Sequence, residues 1–399
     1  MAPRDEKSSG TEGVKTAGRV NPAKPVAASQ EGAGGEHPAM VMASAGMAKV
    51  VVPGGDFLLM AEYVRSGGDL VLVGADGTRI VIRDYFASEA PPPLMTESGA
   101  TIDAALAGKL AGPLAPGQYA QAGGGSGATA IGKIQTANGS VSVKHADGTQ
   151  VELHKGDNIF QGDVLVTGQG GALGMVFADG TTMSLGEKGR MVLDELAYDP
   201  GAKTGEAHMS LVSGSFALVS GQIPKTTPDA LQLKTPTMTV GIRGTGLAGN
   251  STTVAMMAEK GGVAGEVSVT TPSGQTLTLN SAGAAAVVGP GGTITAQQMS
   301  PLQVMQVAGN AGGALPNASN LLSNAFNQAA AQVQQQIQQQ QQQPATPPPP
   351  PEAPAAPGAP PPAAALQQLQ AAHEAQVQQA QQKLQDIQKF FADLGRAAK

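Results

Sequence analysis

The sequence contains no cysteine and no tryptophan, and it has only 8 Phe and 4 Tyr among 399 residues. Without cysteine the chain cannot form disulfides, use a catalytic thiolate or build Cys-ligated zinc or iron–sulfur sites. So few aromatic side chains also argue against a hydrolase or carbohydrate-active protein, because such clefts combine aromatic walls with paired carboxylates. An enzyme is therefore not predicted.

Positive charge is also scarce. The chain carries 24 Lys and Arg residues against 30 Asp and Glu, which gives a formal net charge of −6, and no four basic residues follow one another. Nucleic acids and anionic membranes are recognised by concentrated basic patches. The sequence therefore predicts no nucleic-acid partner and no binding to an anionic membrane surface.

Long apolar runs are missing as well. The most apolar windows are residues 39–52 and 282–288, and both are shorter than the roughly 18 to 20 residues needed to cross a bilayer. Residues 1–24 mix both charges with Pro and Gly, and no apolar run follows a basic start, so no cleaved leader is predicted. We expect a protein without an integral membrane span that is secreted or on the cell surface by a leaderless route; a cytoplasmic location stays open.

Turn residues and short apolar runs alternate over most of the chain, which predicts a mainly β fold. A small N-terminal β unit precedes a larger β-sandwich or roll, with disordered arms and one C-terminal amphipathic helix. The predicted segments are a disordered arm at 1–45, a small β domain at 46–120, a Gly-rich linker at 121–130, the main β domain at 131–250, a β extension at 251–298, a Gln/Pro-rich linker at 299–365 and the amphipathic helix at 366–396.

The predicted turns share one chemistry. Asp76-Gly77 separates apolar residues 70–73 from 80–82, which is a strong signal for a two-residue hairpin because Gly tolerates positive φ. The tetrapeptide Ala-Asp-Gly-Thr recurs at unequal spacings, which indicates one turn used repeatedly and not a solenoid repeat. Its copies start at residues 75, 146 and 178.

Short strands fill the central region, and an amphipathic helix is predicted within residues 100–110. The acidic cluster at 192–200 is predicted as an edge strand plus a turn, because its carboxylates alternate poorly onto one face. Further strands are predicted at residues 190–193, 208–212, 215–219, 231–233 and 238–242.

Several motifs of the central region occur in a characteristic order. They begin with L..GD.I..GD.L.TG at residue 153, continue through F.DGT, LDE..YDP and L..GSF, and end with TPTMTVGIRGT at residues 235–245. This order resembles the FecR domain, named for the ferric citrate regulator, over residues 131–247. The resemblance implies an extracytoplasmic, non-enzymatic β domain in signalling or surface assembly. The regulators themselves carry a cytoplasmic anti-sigma region and one membrane helix before this domain, and neither pattern is present here.

The N-terminal unit has a motif of its own. The hairpin DLVL…DGT.I.I.DYF at residues 69–86 resembles the small prefix-like domain at the N-terminus of biofilm-associated bacterial adhesins. This resemblance covers residues 49–114, and it moves the expected function toward secreted or surface proteins.

The TPTMTVGIRGT motif supplies the candidate contact residues. Its Gly spacing matches no phosphate-binding loop. We expect Arg243 to pair with a carboxylate such as Asp194 or Glu195 and Gly244 to permit a turn, with contact to a partner as the alternative. The structural or partner-contact residues are Thr235, Pro236, Gly241, Arg243, Gly244 and Thr245.

No catalytic residue, cofactor site or metal site is predicted. The five histidines are interpreted as surface residues, because His145 and His154 flank one predicted hairpin without converging. Asp157, Asp163 and Asp179 lie next to Gly in turns, where an Asp side chain usually accepts hydrogen bonds from its own backbone. Calcium binding by these acidic turns is left open.

The C-terminal helix carries an apolar stripe at steps of three and four residues, which needs a binding partner. A coiled coil or docking helix that mediates protein binding or self-association is the favoured interpretation, and an uncleaved export signal is the alternative. The stripe residues are Leu366, Leu369, Val377, Leu384, Ile387, Phe391 and Leu394.

Two hypotheses for function follow. The first is a non-enzymatic exported or cell-surface protein that acts in biofilm-type or envelope assembly through protein–protein binding. The second is a regulatory or sensory binding module in extracytoplasmic signalling.

Overall fold

In a computed structural model, the described residues are 39–42, 48–113, 129–227, 229–257 and 265–316, with separate helical positions between 327 and 392. The predicted mainly β fold is confirmed. Most of the predicted arm at 1–45, and most of the two predicted linkers, lie outside the described residues.

The N-terminal unit contains two small sheets, one four-stranded with the order β1-β5-β4-β3 and one three-stranded with the order β2-β6-β7. The predicted hairpin is confirmed: Leu70 lies opposite Ile82, and Gly77 takes the positive φ of the turn. The elements are β1 (Ala39–Met42), β2 (Val50–Val52), α1 (Phe57–Met60), β3 (Glu62–Ser66), β4 (Asp69–Val73), β5 (Arg79–Arg83), β6 (Leu94–Thr96), β7 (Thr101–Ile102) and α2 (Ala104–Ala111).

The central region forms a sandwich of two nine-stranded sheets. Its elements are β8 (Gly132–Asn138), β9 (Val141–Lys144), β10 (Gln150–Glu152), β11 (Asn158–Ile159), β12 (Val164–Thr167), β13 (Ala172–Phe177), β14 (Thr182–Leu185), β15 (Arg190–Asp199), β16 (Thr204–Ser213), β17 (Ser215–Val219), α3 (Ile223–Thr226), β18 (Leu231–Lys234), β19 (Thr239–Arg243), β20 (Gly246–Asn250), β21 (Thr253–Met256), β22 (Glu266–Thr270), β23 (Thr276–Leu279), β24 (Ala284–Val288) and β25 (Ile294–Gln298).

The chain passes back and forth between the two sheets, and from β12 onward it adds strands to both in sequence order. The front sheet has the order β10-β9-β12-β15-β16-β18-β19-β22-β23, and the back sheet has the order β11-β8-β13-β14-β17-β20-β21-β24-β25. Residues 251–298 therefore continue the same two sheets. Strand β15 pairs with both β12 and β16 only at residues 190–192, whereas the described pairing of residues 195–199 of the acidic cluster is with β16 alone and leads into a turn, which agrees with the predicted edge strand plus turn.

The main core lies between the two sheets, and strand alternation explains its composition. On β17, Phe216 and Leu218 point into this core, whereas Ala217 points to the outside of the back sheet. On β15, Met191 and Leu193 point inward and Val192 points outward. Both faces of these strands are buried, so each sheet is covered on its outer side as well.

The outer face of the front sheet is covered by the N-terminal unit. Val164, Val192 and Val212 on neighbouring strands belong to one buried cluster with residues of that unit, including Leu106 and Leu110 of α2. Fully burying a side chain of this size is worth about 1.5 to 3 kcal/mol. The predicted small domain and main domain therefore share a hydrophobic cluster.

The outer face of the back sheet is covered by two short helices, α4 (Pro301–Ala308) and α5 (Ala311–Ala314). The prediction of a linker from residue 299 is wrong here. Ser300 and Gln303 form a reciprocal capping box that starts α4, and Val304, Met305 and Ala308 are buried against the sheet. The Gln- and Pro-rich composition begins later in the chain and masked this short amphipathic segment.

Among the described residues, no helix has both the length and the apolar character that a membrane crossing requires.

Candidate functional site

A cleft opens between α2 and the outer face of the front sheet, with a volume of about 410 Å³. Ionisable side chains from both sides line it: Asp103 and Lys109 come from the N-terminal unit, and Asp194, His208 and Lys234 come from the sandwich. A smaller hollow of about 270 Å³ shares Asp103 and Lys234 with the cleft. Together they lie at the surface where the two parts of the chain meet.

A β-bulge aims Asp194 into the cleft. The pairing of β15 with β16 shifts between Leu193 and Glu195, which leaves Asp194 as the extra residue. One carboxylate oxygen of Asp194 lies 2.6 Å from Lys109 Nζ, and the other accepts a hydrogen bond of 2.6 Å from Ser210 Oγ. The bulge therefore makes a charged link between the sandwich and α2.

A second ion pair crosses the cleft at the start of α2. Asp103 is the N-cap of this helix and accepts a hydrogen bond of 2.8 Å from the backbone N–H of Leu106, and its other oxygen contacts Lys234 Nζ. Burial opposes ionisation of Asp103, but the Lys234 ammonium and the Leu106 N–H outweigh it and lower the pKa of this carboxyl. Asp103 is therefore ionised at neutral pH.

Two further cations of the front sheet donate to backbone carbonyls of the N-terminal unit. Arg190 Nη1 donates to the carbonyl of Ala61 at 2.5 Å. Lys144 Nζ donates to the carbonyls of Leu110 and Ala111 at 3.0 and 3.1 Å, which satisfies the C-terminal end of α2. Burial lowers the pKa of both Lys144 and Arg190. These contacts orient the unit that forms one wall of the cleft.

The predicted contact residues Thr235 and Pro236 line the smaller hollow. Thr235 is buried, and its hydroxyl donates to the carbonyl of Ser251 at 2.9 Å. The carbonyl of Pro236 accepts a hydrogen bond of 2.7 Å from the backbone N–H of Thr101 in the N-terminal unit. The turn between β18 and β19 therefore joins the sandwich to that unit.

Arg243 pairs with carboxylates other than the predicted ones. It makes a bidentate contact with Asp229, with Nε 2.8 Å from Oδ1, and it also contacts Glu266 on the neighbouring strand β22. The predicted partner Asp194 is engaged by Lys109. The Arg243 guanidinium lowers the pKa of the Asp229 carboxyl. Pairing with a carboxylate was predicted, but the partners follow from the order of strands, which the sequence did not give.

The other residues of the motif have backbone roles. Gly241 lies opposite Ser268, and a Cβ at this position would come within 2.6 Å of the Ser268 hydroxyl oxygen. Gly244 has φ of +69°, which favours glycine. Thr245 is fully buried. These three residues do not line the cleft.

Residues 163–264 match the family model described as FecR protein. This segment is a FecR domain. It begins at the start of β12 and ends between β21 and β22, so the sandwich extends beyond the FecR domain on both sides.

Comparisons with other proteins give weaker likenesses. No curated protein matches the chain. A solved structure named "Cell surface anchoring domain" is 37% identical over 16% of this chain and 82% of its own, with a TM-score of 0.15. Two crystal structures of a candidate anti-sigma factor from Parabacteroides distasonis ATCC 8503 are 15% identical, with TM-scores of 0.26 and 0.27. They align with 34% of this chain, which spans 59% of their length.

The FecR domain supplies the sandwich side of the cleft. Asp194, Ser210 and Lys234 all lie within the matched segment, whereas Asp103 and Lys109 lie outside it. Sequence reasoning missed the cleft because nothing in the motif order predicted that the N-terminal unit packs on this face. A usable signal was the unbroken apolar run Val164 to Val166, since strands buried on both faces lose their alternation.

The histidine and turn predictions have separate outcomes. The side chain of His154 is 70% exposed, in line with the prediction, whereas that of His145 is 25% exposed and its Nδ1 lies 2.7 Å from Asp163 Oδ1. Burial raises the pKa of Asp163. The prediction that acidic turns bond their own backbone is confirmed by Asp179, which accepts from the Thr181 N–H and hydroxyl at 2.9 and 2.7 Å. In the part of the chain that the structure describes, no three His, Cys, Asp or Glu side chains are grouped to hold a metal ion.

Most of the predicted helix stripe lies outside the described residues. This applies to Leu366, Leu369, Val377, Leu384, Phe391 and Leu394. Ile387 is described, and it is 6% exposed.

Proposed function

We propose that this chain is a non-enzymatic, extracytoplasmic regulatory protein that binds a protein partner at the cleft beside α2. The observation that carries the proposal is that the FecR domain supplies one wall of this cleft and the N-terminal unit supplies the other. The FecR resemblance implies an extracytoplasmic binding role in signalling. The expected partner is a membrane receptor or a protein that regulates a sigma factor.

The charges of the cleft suit recognition of a protein. Lys109 with Asp194 and Lys234 with Asp103 form two ion pairs that are partly exposed to solvent. Such pairs contribute little to stability, about 0 to 1 kcal/mol. A partner with complementary charges can therefore replace one member of each pair at small cost and gain specificity. This arrangement favours a polar protein surface over an apolar small molecule.

A charge-swap experiment tests the proposal. Lys109→Glu opposes Asp194, and the double variant Lys109→Glu with Asp194→Lys restores an intramolecular pair with reversed charges. Partner binding should fall about tenfold or more in both variants, because the partner meets the wrong charges. The melting temperature of the double variant should stay near that of the wild type, which separates recognition from stability.

The partner is to be captured in intact cells with a photo-reactive residue in place of Gln232, which lines the cleft. The same residue in place of Val151, which is 46% exposed on β10, serves as the control. A receptor or sigma regulator crosslinked only from position 232 supports the proposal. Recovery of the full-length protein from the cytoplasm alone would contradict the proposal.

Assembly at the cell surface is the second candidate function. It is favoured by the hairpin of β4 and β5, whose DLVL…DGT.I.I.DYF motif resembles the prefix-like unit of biofilm-associated adhesins. This candidate predicts that the crosslinks from position 232 lead to envelope polymers or to a second copy of the chain. The same experiment therefore distinguishes the two functions.

A further inference from the structure

A row of alanine residues crosses the outer face of the back sheet. Ala217 on β17 lies opposite Ala248 on β20, Ala248 lies opposite Ala255 on β21, and Ala255 lies opposite Ala285 on β24. All four side chains are fully buried. We call this set the alanine row. Because neighbouring strands are about 4.8 Å apart, the row is a shallow track across four strands that a helix can approach closely.

Helix α4 covers one part of the alanine row. It lies against β17, β20 and β21, and it buries Val304 and Met305 in the same cluster as the four alanines. Ala285, on the next strand, is buried as completely as the others. One more apolar side chain from far along the chain belongs to this cluster, and it is Ile387.

Ile387 differs from the residues around it. It is 6% exposed, whereas Gln385, Asp386, Gln388 and Lys389 on the same helical stretch are exposed. This pattern is that of a helix that touches the sandwich along one side only. In the sequence, Leu384 and Phe391 stand three and four residues from Ile387, a spacing at which residues share a helix face.

We propose that the helical positions described between residues 375 and 392 dock on the back sheet of their own chain through Ile387 and cover the alanine row together with α4. The stripe was predicted to bind a partner or a second copy, with an export signal as the alternative. Under the present proposal, Ile387 of the stripe binds a surface of its own chain, on the side of the sandwich opposite the N-terminal unit.

The connecting chain makes docking within one molecule favourable. Residues 317–374 join α5 to the helical stretch. A covalent connection of this length holds Ile387 near the sheet at an effective concentration of about 1 mM or somewhat below. At micromolar protein, a second copy competes poorly with this tethered stripe.

Hydrogen exchange of the full chain tests the proposal. Amides of residues 375–392 should be protected in the wild type, and they should exchange at least about tenfold faster in Ile387→Glu, because a charge is not tolerated against buried alanines. Gln388→Glu is the matched control, since it places the same residue on the exposed neighbour, and it should leave protection unchanged. Ile387→Ala should give an intermediate loss.

The amides of β13 report in each variant whether the sandwich itself remains folded. Protection of residues 375–392 should be the same at about 100 µM and at about 1 µM protein, with a monomeric mass by sedimentation. Protection that falls on dilution together with a dimeric mass would overturn the proposal in favour of docking between two copies. Exchange of residues 375–392 at unprotected rates in the wild type would also overturn it.

Discussion

Cationic side chains of the front sheet have different tasks that depend on their surroundings. Arg190 and Lys144 lie beneath the N-terminal unit and donate to its backbone carbonyls. Arg243 lies at the surface, where its guanidinium and the Asp229 carboxylate are 41% and 45% exposed. Solvent and salt screen the second kind of contact far more than the first.

Arg243→Ala should lower the melting temperature only slightly, because the pair with Asp229 and Glu266 is exposed. The decrease should shrink in high salt, which screens surface pairs. Arg190→Met, which leaves the carbonyl of Ala61 without this donor, should lower the melting temperature more and with little dependence on salt. Calorimetry at low and high salt measures both. Loss of partner binding in Arg243→Ala with an unchanged melting curve would contradict a structural role for Arg243.

Residue types were easier to predict from the sequence than residue partners. The sequence indicated that Arg243 needs a carboxylate, but Asp229 and Glu266 become its neighbours only because β18 and β22 flank β19. Likewise, the sequence showed Asp194 as one of several acidic residues, but the direction of its side chain depends on the β-bulge in β15. Strand order and bulges arise from long-range packing, which a local pattern does not encode.

At the scale of elements, α2 depends on a cap that is also an ion pair. Asp103→Ala removes both the N-cap and the contact with Lys234, and it should lower the free energy of unfolding by about 1 to 2 kcal/mol at pH 7. Asp103→Asn keeps an N-cap acceptor and loses only the charge, so its cost should be smaller, at most about 1 kcal/mol. Urea denaturation measures the difference.

The two variants should also respond differently to acid. The pKa of Asp103 is lowered from 3.8 in the folded protein, so the stability that its charge contributes is present above this pH and is lost as the pH falls below it. The difference between wild type and Asp103→Asn should therefore begin to shrink near pH 3.8 and disappear once the pH is below the lowered pKa of Asp103. A difference that grows in acid would contradict this assignment.

Helix α5 lies so close to the back sheet that one strand position must be glycine. A Cβ at Gly174 on β13 would lie 2.0 Å from the carbonyl oxygen of Ala314. Gly174→Ala should therefore destabilise the protein by about 1 to 3 kcal/mol. Gly108→Ala in α2 is the control, because a Cβ there meets nothing within 4 Å, and it should stabilise by about 0.5 to 1 kcal/mol. Equal melting temperatures for the two variants would show that α5 moves to accommodate the added methyl group, which would contradict this prediction.

Elements with strong local signals were predicted well. The hairpin of β4 and β5 followed from Asp76-Gly77, and α2 lies within the predicted range of 100–110 except for its final residue. Helix α4 was missed, although Ser300 and Gln303 stand at the spacing of a capping box. Its eight residues form an amphipathic pattern too short to be recognised beside the Gln- and Pro-rich composition that follows in the chain.

At the scale of the whole molecule, the N-terminal unit and the sandwich share the buried cluster around Val164, Val192 and Val212. They should therefore unfold in one transition. Val192→Ala should lower the free energy of unfolding by about 1 to 3 kcal/mol, and hydrogen exchange should show the same loss for β4 and β5 as for β12 and β15. Two separate calorimetric transitions, or a loss confined to the sandwich, would contradict a shared core.

The sequence predicted the β-rich class and the FecR domain, because turn chemistry and motif order are local properties. It did not predict the layers that cover the outer faces of the two sheets. Those layers depend on which surfaces pack together. In the sequence they are marked by apolar or small residues at outward positions such as Val192 and Ala217. The cleft forms where the N-terminal unit packs on the front sheet, so local sequence patterns could not predict it either.

The order in which strands join the two sheets also has a consequence for how the chain reaches this structure. From β12 to β25, each strand pairs with strands that are close to it in sequence, and both sheets lengthen in the same direction. Contacts between residues close in sequence form fastest. We expect assembly to start near β8 and β9 and to proceed toward β25, with each new strand using the previous one as a template. A chain that emerges N-terminus first can therefore fold as it appears.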